Sequence, residues 1–359
     1  MTDDDCLKLT TYLGERDRSD GGFVADALTN IYARHRLQTS LVLRGVEGFG
    51  AKHQLRSDRR LTLSEDLPLV SVAVDTSAAI DAALADIRPL RFSGLITIER
   101  GRRLTGHMDS VRVPSARDEA VKLTVHLGRQ QRVGSMSAYE AVVALLSRRG
   151  VAGATVLLGI DGTAYGERRR ARFFGRNPQV PVMVVAVGDG ERVAAVLPEL
   201  GRMLARPVVT LERVRVCKRD GEPLARPHRL PDADPSGLGV WQKLIVYAGE
   251  QSRHGGQPLS GGLVRALRQA GAAGATTLRG VWGYHGAHEP HGDSVWQLRR
   301  RVPVMTVIID TPQRIRDWFS IVDDFTDETG LVTSEIVPAF RVTSPGLERG
   351  GLRLAARMS

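Results

Sequence analysis

The sequence is poor in the residue types that mark disulfide scaffolds, membrane spans and aromatic-rich cores. Its 359 residues include two cysteines, Cys6 and Cys217, and only 5% aromatics. The cysteines show no motif spacing, so we expect incidental thiols in a reduced cytoplasmic protein, with a disulfide between them as the open alternative. No apolar run approaches the roughly 18 residues of a membrane span. The acidic residues 1–5 do not match a signal peptide, and we expect no membrane insertion.

The sequence also lacks the motifs of common catalytic sites. It contains no nucleophile elbow, no P-loop and no paired metal motif, so we expect a protein that is not an enzyme. The composition, 42% hydrophobic and 25% charged, is typical of a globular protein with cores of Leu, Val, Ile and Ala. The net charge of +10 is consistent either with an anionic partner or with an arginine-rich composition of no functional meaning.

A repeated pattern runs through the chain at nearly constant spacing. Three segments alternate apolar and polar side chains and end at a glycine: residues 7–14, 121–128 and 242–249. This pattern predicts a strand followed by a turn in each case. Lys8 and Lys122 lie 114 residues apart, as do Gly14 and Gly128, and Lys8 and Lys243 lie 235 apart. We predict three tandem domains at residues 6–104, 120–218 and 241–342, with linkers at 105–119 and 219–240. The tail, residues 343–359, is predicted to form a basic helix or to be disordered.

Each unit reads as strand, helix, strand, strand, helix, strand. The clearest helices are residues 138–146, with Gly150 as a stop, and the one that begins at Thr311 and Pro312 with a cap and a first-turn proline. This βαββαβ order predicts an α+β, ferredoxin-like fold. Such a sheet has one face without helices, and apolar residues on that face need cover. We expect the three domains to cover one another as a monomer that acts as an intramolecular pseudo-trimer.

The first copy resembles a known bacterial family. It carries Tyr12-Leu13-Gly14-Glu15, then Leu43-Arg44-Gly45-Val46-Glu47-Gly48-Phe49-Gly50, then residues 56–58 and 63–70. These motifs resemble the "domain of unknown function 190" family, a PII-like group, and the third copy keeps Leu278-Arg279-Gly280-Val281-Trp282-Gly283-Tyr284. The resemblance implies PII-like trimers that bind adenine nucleotides in clefts between subunits and report the ligand through a mobile loop.

Two departures bear on the nucleotide site that the resemblance implies. Ala51-Lys52 stands where PII proteins have Arg-Gln, and residues 91–94 stand where they have a phosphate-binding Gly-Asp-Gly-Lys loop. We therefore predict a regulatory protein that binds a small anionic ligand, an adenine nucleotide by preference, and signals to a protein partner. The candidate ligand-binding residues are the glycine-rich turns and one recurrent arginine: Arg44, Gly45, Gly48, Phe49, Gly50, Arg18, Gly94, Gly159, Gly162, Arg132, Gly280, Gly283 and Arg253.

Two loops support alternative functions. Residues 167–172 of the second copy are strongly basic, and Arg168, Arg169 and Arg170 would dock an acidic protein or, less favoured, nucleic acid. In the third copy His285, His288 and His291 lie at short spacing with acidic neighbours. Such side chains can bind zinc or a similar metal, so a metal-responsive protein is a further, less favoured hypothesis. The alternatives without a function are that the basic residues form a solvated surface and that the histidines bind no metal.

Overall fold

The computed structural model describes most of the chain, with gaps in several loops. The described residues are 4–50, 53–58, 66–104, 108, 119–164, 166–168, 180–205, 207–285, 290–292 and 302–357. They contain six helices and a mostly antiparallel sheet system. None of the helices in these ranges is long and apolar enough to cross a membrane.

Repeat 1 contains five main strands and two helices. In chain order they are β1 (Asp4–Gly14), α1 (Val24–Arg34), β2 (Thr39–Arg44), β3 (Glu47–Phe49), β4 (Pro68–Thr76), α2 (Ser77–Ile87) and β5 (Gly94–Leu104). A short hairpin, Arg18–Ser19 with Gly22–Phe23, precedes α1, and Arg56–Ser57 pairs with β3. The sheet order is β2-β4-β1-β5, and every neighbouring pair is antiparallel.

Repeat 2 has the same element order. It consists of β6 (Glu119–Gly128), α3 (Ala138–Arg148), β7 (Gly153–Leu158), β8 (Asp161–Ala164), β9 (Pro181–Gly188), α4 (Gly190–Met203) and β10 (Val208–Arg219). Its short strands are Arg132–Val133, Met136–Ser137, Glu167–Arg168 and Glu222–Pro223. The order β7-β9-β6-β10 matches that of repeat 1.

Repeat 3 follows the same plan and adds a C-terminal hairpin. Its elements are β11 (Trp241–Gly249), α5 (Leu259–Gln269), β12 (Ala275–Arg279), β13 (Trp282–His285), β14 (Pro303–Asp310), α6 (Pro312–Phe325), β15 (Leu331–Val337), β16 (Ala339–Ser344) and β17 (Leu347–Gly350). Its short strands are Arg253–His254, Gln257–Pro258 and His291–Gly292. Strand β16 pairs with β5 of repeat 1, so the end of the third repeat contacts the first.

The helix boundaries follow local sequence signals. Ser137 and Glu140 form a capping box at the start of α3, and Gly150 adopts a φ of +69° just after its end. At α6 the Thr311 side chain accepts a hydrogen bond from the Arg314 amide, and Pro312 occupies the first turn. The predictions for both helices are confirmed.

The prediction for the tail is wrong. Residues 339–350 form the β16–β17 hairpin, and no helix is present in the described residues up to 357. The tail is ordered because β16 pairs with the edge of β5 and because Ala355 packs against the second linker. That linker begins with the short strand Glu222–Pro223, which pairs with the end of β10, and beyond it the chain is irregular, as predicted, apart from one bridge between Ala233 and Gly239. Of the first linker, the structure describes only Met108 and Glu119.

Each repeat has its own apolar core between helices and sheet, and a further core lies between the repeats. This shared core contains residues of the helix-free sheet faces of all three: Leu43, Val72, Leu157, Val185, Leu278 and Val307. The repeats therefore cover one another's open faces, as the sequence predicts.

The hairpin after the second long strand of each repeat pairs with a strand of the preceding repeat, and that of repeat 1 pairs with repeat 3. Strand β3 pairs with β12, β8 pairs with β2, and β13 pairs with β7. At each crossing a glycine meets backbone of the neighbour. A Cβ on Gly48, Gly162 or Gly283 would lie 2.6, 2.2 or 2.1 Å from a carbonyl oxygen of the adjacent repeat. The recurrent glycine thus permits close approach of two backbones.

Substitution of Gly162 is expected to destabilise the protein through this crossing. The Cβ of Gly162→Ala would lie 2.8 Å from the Leu41 Cα as well as against the Ser40 carbonyl, so backbone must move. We expect a loss of about 2–3 kcal/mol of unfolding free energy, measured by urea denaturation. Gly50→Ala, where no atom lies within 4 Å, is the control and should lose much less. Equal losses would show that the crossing is not the cause.

Candidate functional site

The borders between repeats contain two clefts of ligand size. The cleft between repeats 1 and 3 has a volume of about 310 Å³, and the one between repeats 2 and 3 about 410 Å³. Both fall within the range of small-molecule sites. We name them cleft 3/1 and cleft 2/3.

Cleft 3/1 is rich in cationic side chains. Its lining includes Arg56 and His53 from the loop after β3, Arg314 from α6 and Arg349 from β17. Arg56 pairs with Asp66 at 2.6 Å, and Arg314 donates to the Gly271 carbonyl at 3.2 Å. Arg349 is exposed. The excess of positive charge suits an anionic ligand.

The remainder of cleft 3/1 is apolar and glycine-lined. Leu95, Val307, Ile309 and Val342 contribute aliphatic surface, and Trp241 stacks on Phe340 with ring centroids 4.3 Å apart. Glycines of both repeats complete the wall: Gly14, Gly50, Gly94, Gly271 and Gly274. An apolar wall beside cationic groups can hold a planar ring and an attached phosphate together.

The one buried carboxylate at cleft 3/1 among its described lining residues is already satisfied. Asp310 accepts hydrogen bonds from the Ala273 amide at 3.1 Å, the Trp318 indole N–H at 2.9 Å and the Thr311 amide at 2.8 Å. It also lies beside the N-terminus of α6, whose dipole favours negative charge. The hydrogen bonds of Asp310 therefore stabilise the wall of the cleft.

Cleft 2/3 has a different charge balance. It is lined by Arg192, Arg219, Asp220 and His285. Arg192 occupies the same helix position as Arg314, but it pairs with Asp189 at 3.1 Å and donates to the Gly150 carbonyl. This cleft is larger but carries less unpaired positive charge than cleft 3/1.

At the border of repeats 1 and 2 one arginine contacts side chains of both repeats. Arg168 donates to the carboxylates of Asp26 and Asp161, each at 2.5 Å, and to the Asn30 side chain at 2.6 Å. Hydrogen bonds from Arg168 to these carboxylates raise its pKa. The basic loop therefore uses Arg168 to join repeat 2 to α1. Arg169 and Arg170 lie outside the described residues, so their docking role stays a prediction.

Removal of the Arg168 side chain is expected to weaken this border. Arg168→Ala should lower the unfolding free energy by about 1–2 kcal/mol, because it leaves two partly buried carboxylates without their cation. The measurement is urea denaturation, with hydrogen exchange of α1 amides as the local readout. Arg132→Ala, an exposed arginine of the same repeat, should change stability by less than about 0.5 kcal/mol. A wild-type midpoint for the Arg168 variant would contradict this role.

The recurrent arginines predicted to bind ligand lie on hairpin turns. Arg18 donates to the Gly21 carbonyl at 3.1 Å, Arg132 to that of Ser135, and Arg253 to that of Gly256 at 3.0 Å. None of them is among the described residues that line clefts 3/1 and 2/3. The turn that each one closes gives their recurrence a structural reason, and their role in ligand binding stays a prediction.

The predicted glycines divide into two groups. Gly45, Gly159 and Gly280 donate their amides to proline carbonyls at 2.7, 2.9 and 2.8 Å, so these donors are used within the fold. Gly50 and Gly94 line cleft 3/1, where an added Cβ on Gly94 would meet the Tyr12 carbonyl at 2.4 Å. The crossing glycines 48, 162 and 283 serve the backbone contacts described above.

Phe49, the aromatic residue of the predicted turn, contributes both to a cleft and to a core. Phe49 lines cleft 3/1 and also belongs to the core of repeat 3, where it is 4% exposed. Its equivalent Tyr284 enters the core of repeat 2 and donates its hydroxyl to the Val151 carbonyl at 2.8 Å. Arg44, outside the cleft, forms an ion pair with Glu15.

The histidine cluster is only partly described. His285 lines cleft 2/3 and His291 is described in its backbone, while His288 lies outside the described residues. The alternative of a metal-responsive protein that uses these histidines therefore stays a hypothesis.

A buried ring of charges lies where the three repeats meet. Lys8, Lys122 and Lys243 from the first strands alternate with Glu99, Glu212 and Glu335 from the last strands. The nitrogen–oxygen distances are 2.5 Å for Lys8–Glu99, 2.9 Å for Lys122–Glu212, 2.5 Å for Lys122–Glu335, 2.6 Å for Lys243–Glu99 and 2.9 Å for Lys243–Glu335. The Lys8–Glu212 pair closes the ring. Each group thus contacts two opposite charges.

The ring makes stability sensitive to acid. Burial alone would raise the pKa of Glu335, but Lys122 and Lys243 outweigh it and lower the pKa to about 2. Because this pKa is lower in the folded state, its contribution is complete above the ordinary value of 4.5 and is lost as the pH falls towards 2. We expect Glu335 to reduce the unfolding free energy by about 1.4 kcal/mol per pH unit in that window. Urea titrations from pH 6 to about 2.5 measure it, and Glu335→Gln should show a shallower slope.

The sequence contained a signal for this ring. Lysine recurs at the second position of the repeated first-strand pattern, and glutamate recurs at one position within the last strand of each repeat. A charge that recurs in a buried strand predicts an opposite charge nearby. Of the cleft residues, Arg349 has no equivalent arginine in the other repeats, and Arg314 has one only in Arg192 of repeat 2.

Comparison with known proteins places the chain in a family. The DUF190 family, described as "Uncharacterized ACR", matches residues 6–102, 120–216 and 241–339. The chain belongs to this family and contains three tandem copies of its domain, and the matches lie within the three predicted repeats. The chain is also similar to a UPF0166 protein of Aquifex aeolicus (strain VF5), with 29% identity over 99 residues, which is 27% of this chain and 92% of that protein.

Proposed function

We propose that this protein is a PII-like regulator that binds an adenine nucleotide in cleft 3/1. The observation that carries the proposal is the convergence of Arg56, His53, Arg314 and Arg349 beside an apolar, glycine-lined wall. Arginines suit phosphate because their planar guanidinium offers paired donors. Trp241 and the aliphatic residues offer surface for a base.

The proposal includes the architecture. The strand order supports a ferredoxin-like unit in each repeat, and the cyclic strand pairing supports a pseudo-trimer made by one chain. In that arrangement the three borders differ, so one cleft can specialise. The role is binding rather than catalysis, and its setting is the cytoplasm.

Signalling would use the loop that follows β3. His53, Gln54 and Arg56 in this loop line cleft 3/1, so a ligand there contacts the loop directly. A ligand shifts a loop between conformations only by its differential affinity for them. Contacts to the loop supply that difference, and a partner protein would read the ordered loop.

Calorimetry of the intact chain with ATP, ADP, AMP and cyclic AMP tests the proposal. We expect saturable binding of one nucleotide per chain, with affinity that falls as salt is raised. The absence of binding to any of the four at millimolar concentration would contradict it.

A further inference from the structure

A small cavity lies against the buried charge ring. Its volume is about 60 Å³, and it is lined by the three lysines of the ring, by Thr10 and Thr124, by Tyr12 and His126, and by aliphatic residues. This volume exceeds the space that one water needs and is far below that of a nucleotide site. The inference drawn from this cavity does not depend on the function proposed for cleft 3/1.

The described lining of this cavity is asymmetric in charge. It contains Lys8, Lys122 and Lys243 but none of the ring carboxylates. An ammonium has three N–H donors, and each of these lysines contacts two carboxylates, so each keeps one donor. The described lining therefore carries three ammonium groups and no carboxylate, while Glu212 Oε1 and Glu335 Oε1 of the ring, which lack a hydrogen-bond partner among the described residues, belong to residues outside this lining.

A buried polar group adds an independent observation. The side chain of His126 is 9% exposed, and its Nε2 atom has no hydrogen-bond partner among the described residues. The equivalent position in the other repeats is Tyr12 or Tyr247. A buried polar atom without a hydrogen-bond partner costs free energy. A bound molecule or ion that forms a hydrogen bond with Nε2 would therefore be stabilised there.

We name this space, which is bordered by Lys8, Lys122 and Lys243 of the three repeats, the axial cavity. We propose that the axial cavity binds a small monovalent inorganic anion of halide size. The ring itself is neutral, with three lysines against three glutamates, so it does not repel an anion. One anion can accept hydrogen bonds from all three ammoniums, whereas a water accepts two at most. The threonine hydroxyls offer further donors. The anion would lock the three repeats together at the point where they meet.

Bromide is a direct probe of this site. Crystals of the intact chain grown in sodium bromide are expected to show an anomalous peak in the axial cavity, bordered by the three lysine Nζ atoms. Bromide on the surface with only water in the cavity would overturn the proposal.

A solution measurement supplies the second arm. At equal ionic strength, chloride should raise the melting temperature above its value in gluconate by on the order of 3 °C. Thr124→Val removes one hydroxyl from the cavity and should abolish most of the difference, whereas Ile245→Thr at the equivalent position of repeat 3 should preserve or increase it. An equal melting temperature in the two salts for the wild-type chain would contradict anion binding.

Discussion

Lys243→Met is expected to lower the unfolding free energy by about 3–5 kcal/mol, as measured by urea denaturation. The substitution leaves Glu99 and Glu335, both 4% exposed, with one lysine each instead of two. Removal of one partner from a buried ion pair costs far more than the pair contributes, because the remaining charge stays desolvated. Methionine keeps most of the volume, so a cavity does not explain the loss.

Two further variants make this prediction sharp. Arg148→Ala breaks an exposed pair with Glu199 and should cost less than about 1 kcal/mol. The double variant Lys243→Met with Glu335→Gln removes one charge of each sign, so its loss should be smaller than the sum of the two single losses. Additive losses, or a Lys243→Met loss no larger than that of Arg148→Ala, would show that the ring is not coupled.

Arg349→Ala is expected to weaken nucleotide binding at least tenfold while stability stays unchanged. Arg349 lines cleft 3/1 and is exposed, and its side chain makes no hydrogen bond or ion pair with any residue that the structure describes. A charge-assisted hydrogen bond to phosphate contributes about 1.5–3 kcal/mol, which is a factor of ten or more in affinity. Calorimetry with the tightest of the four nucleotides gives the measurement.

The tail also provides a matched control for Arg349. Arg353 is exposed four residues further along and is not among the described residues of the cleft lining. Arg353→Ala removes the same charge from the same segment, so it should keep wild-type affinity. Equal weakening by both variants would indicate a general effect of net charge and would remove Arg349 from the site.

The repeated frame was predictable because it rests on local patterns. Alternation at residues 7–14 and the cap at Thr311 are read from neighbours in sequence, and both elements form where expected. The shared core was predictable for a related reason, since apolar residues on a helix-free sheet face require cover. Constant spacing then identified the three copies without any knowledge of contacts.

The site was less predictable because its residues come from separate elements. Arg314 belongs to a helix of repeat 3, Arg56 to a loop of repeat 1 and Arg349 to the tail hairpin. Their convergence depends on how the repeats pack, and no local pattern encodes it. Conversely, Arg18 and its equivalents recur at one position, and each of them closes a hairpin turn. Recurrence alone cannot separate a structural role from a binding role.

The tail shows how tertiary pairing overrides local sequence. Residues 344–359 are basic and contain several good helix formers, which favoured a helix or disorder. The free edge of β5 offers backbone partners to β16, and this pairing determines the outcome. The same hairpin then carries Arg349 to cleft 3/1, so the tail belongs to the proposed site.

The most direct test of the account is a crystal structure of the intact chain with its tightest-binding nucleotide. We expect density for one nucleotide in cleft 3/1, with phosphate oxygens within hydrogen-bond distance of Arg56, Arg314 or Arg349. Nucleotide in cleft 2/3 alone, or in neither cleft at saturating concentration, would contradict the account.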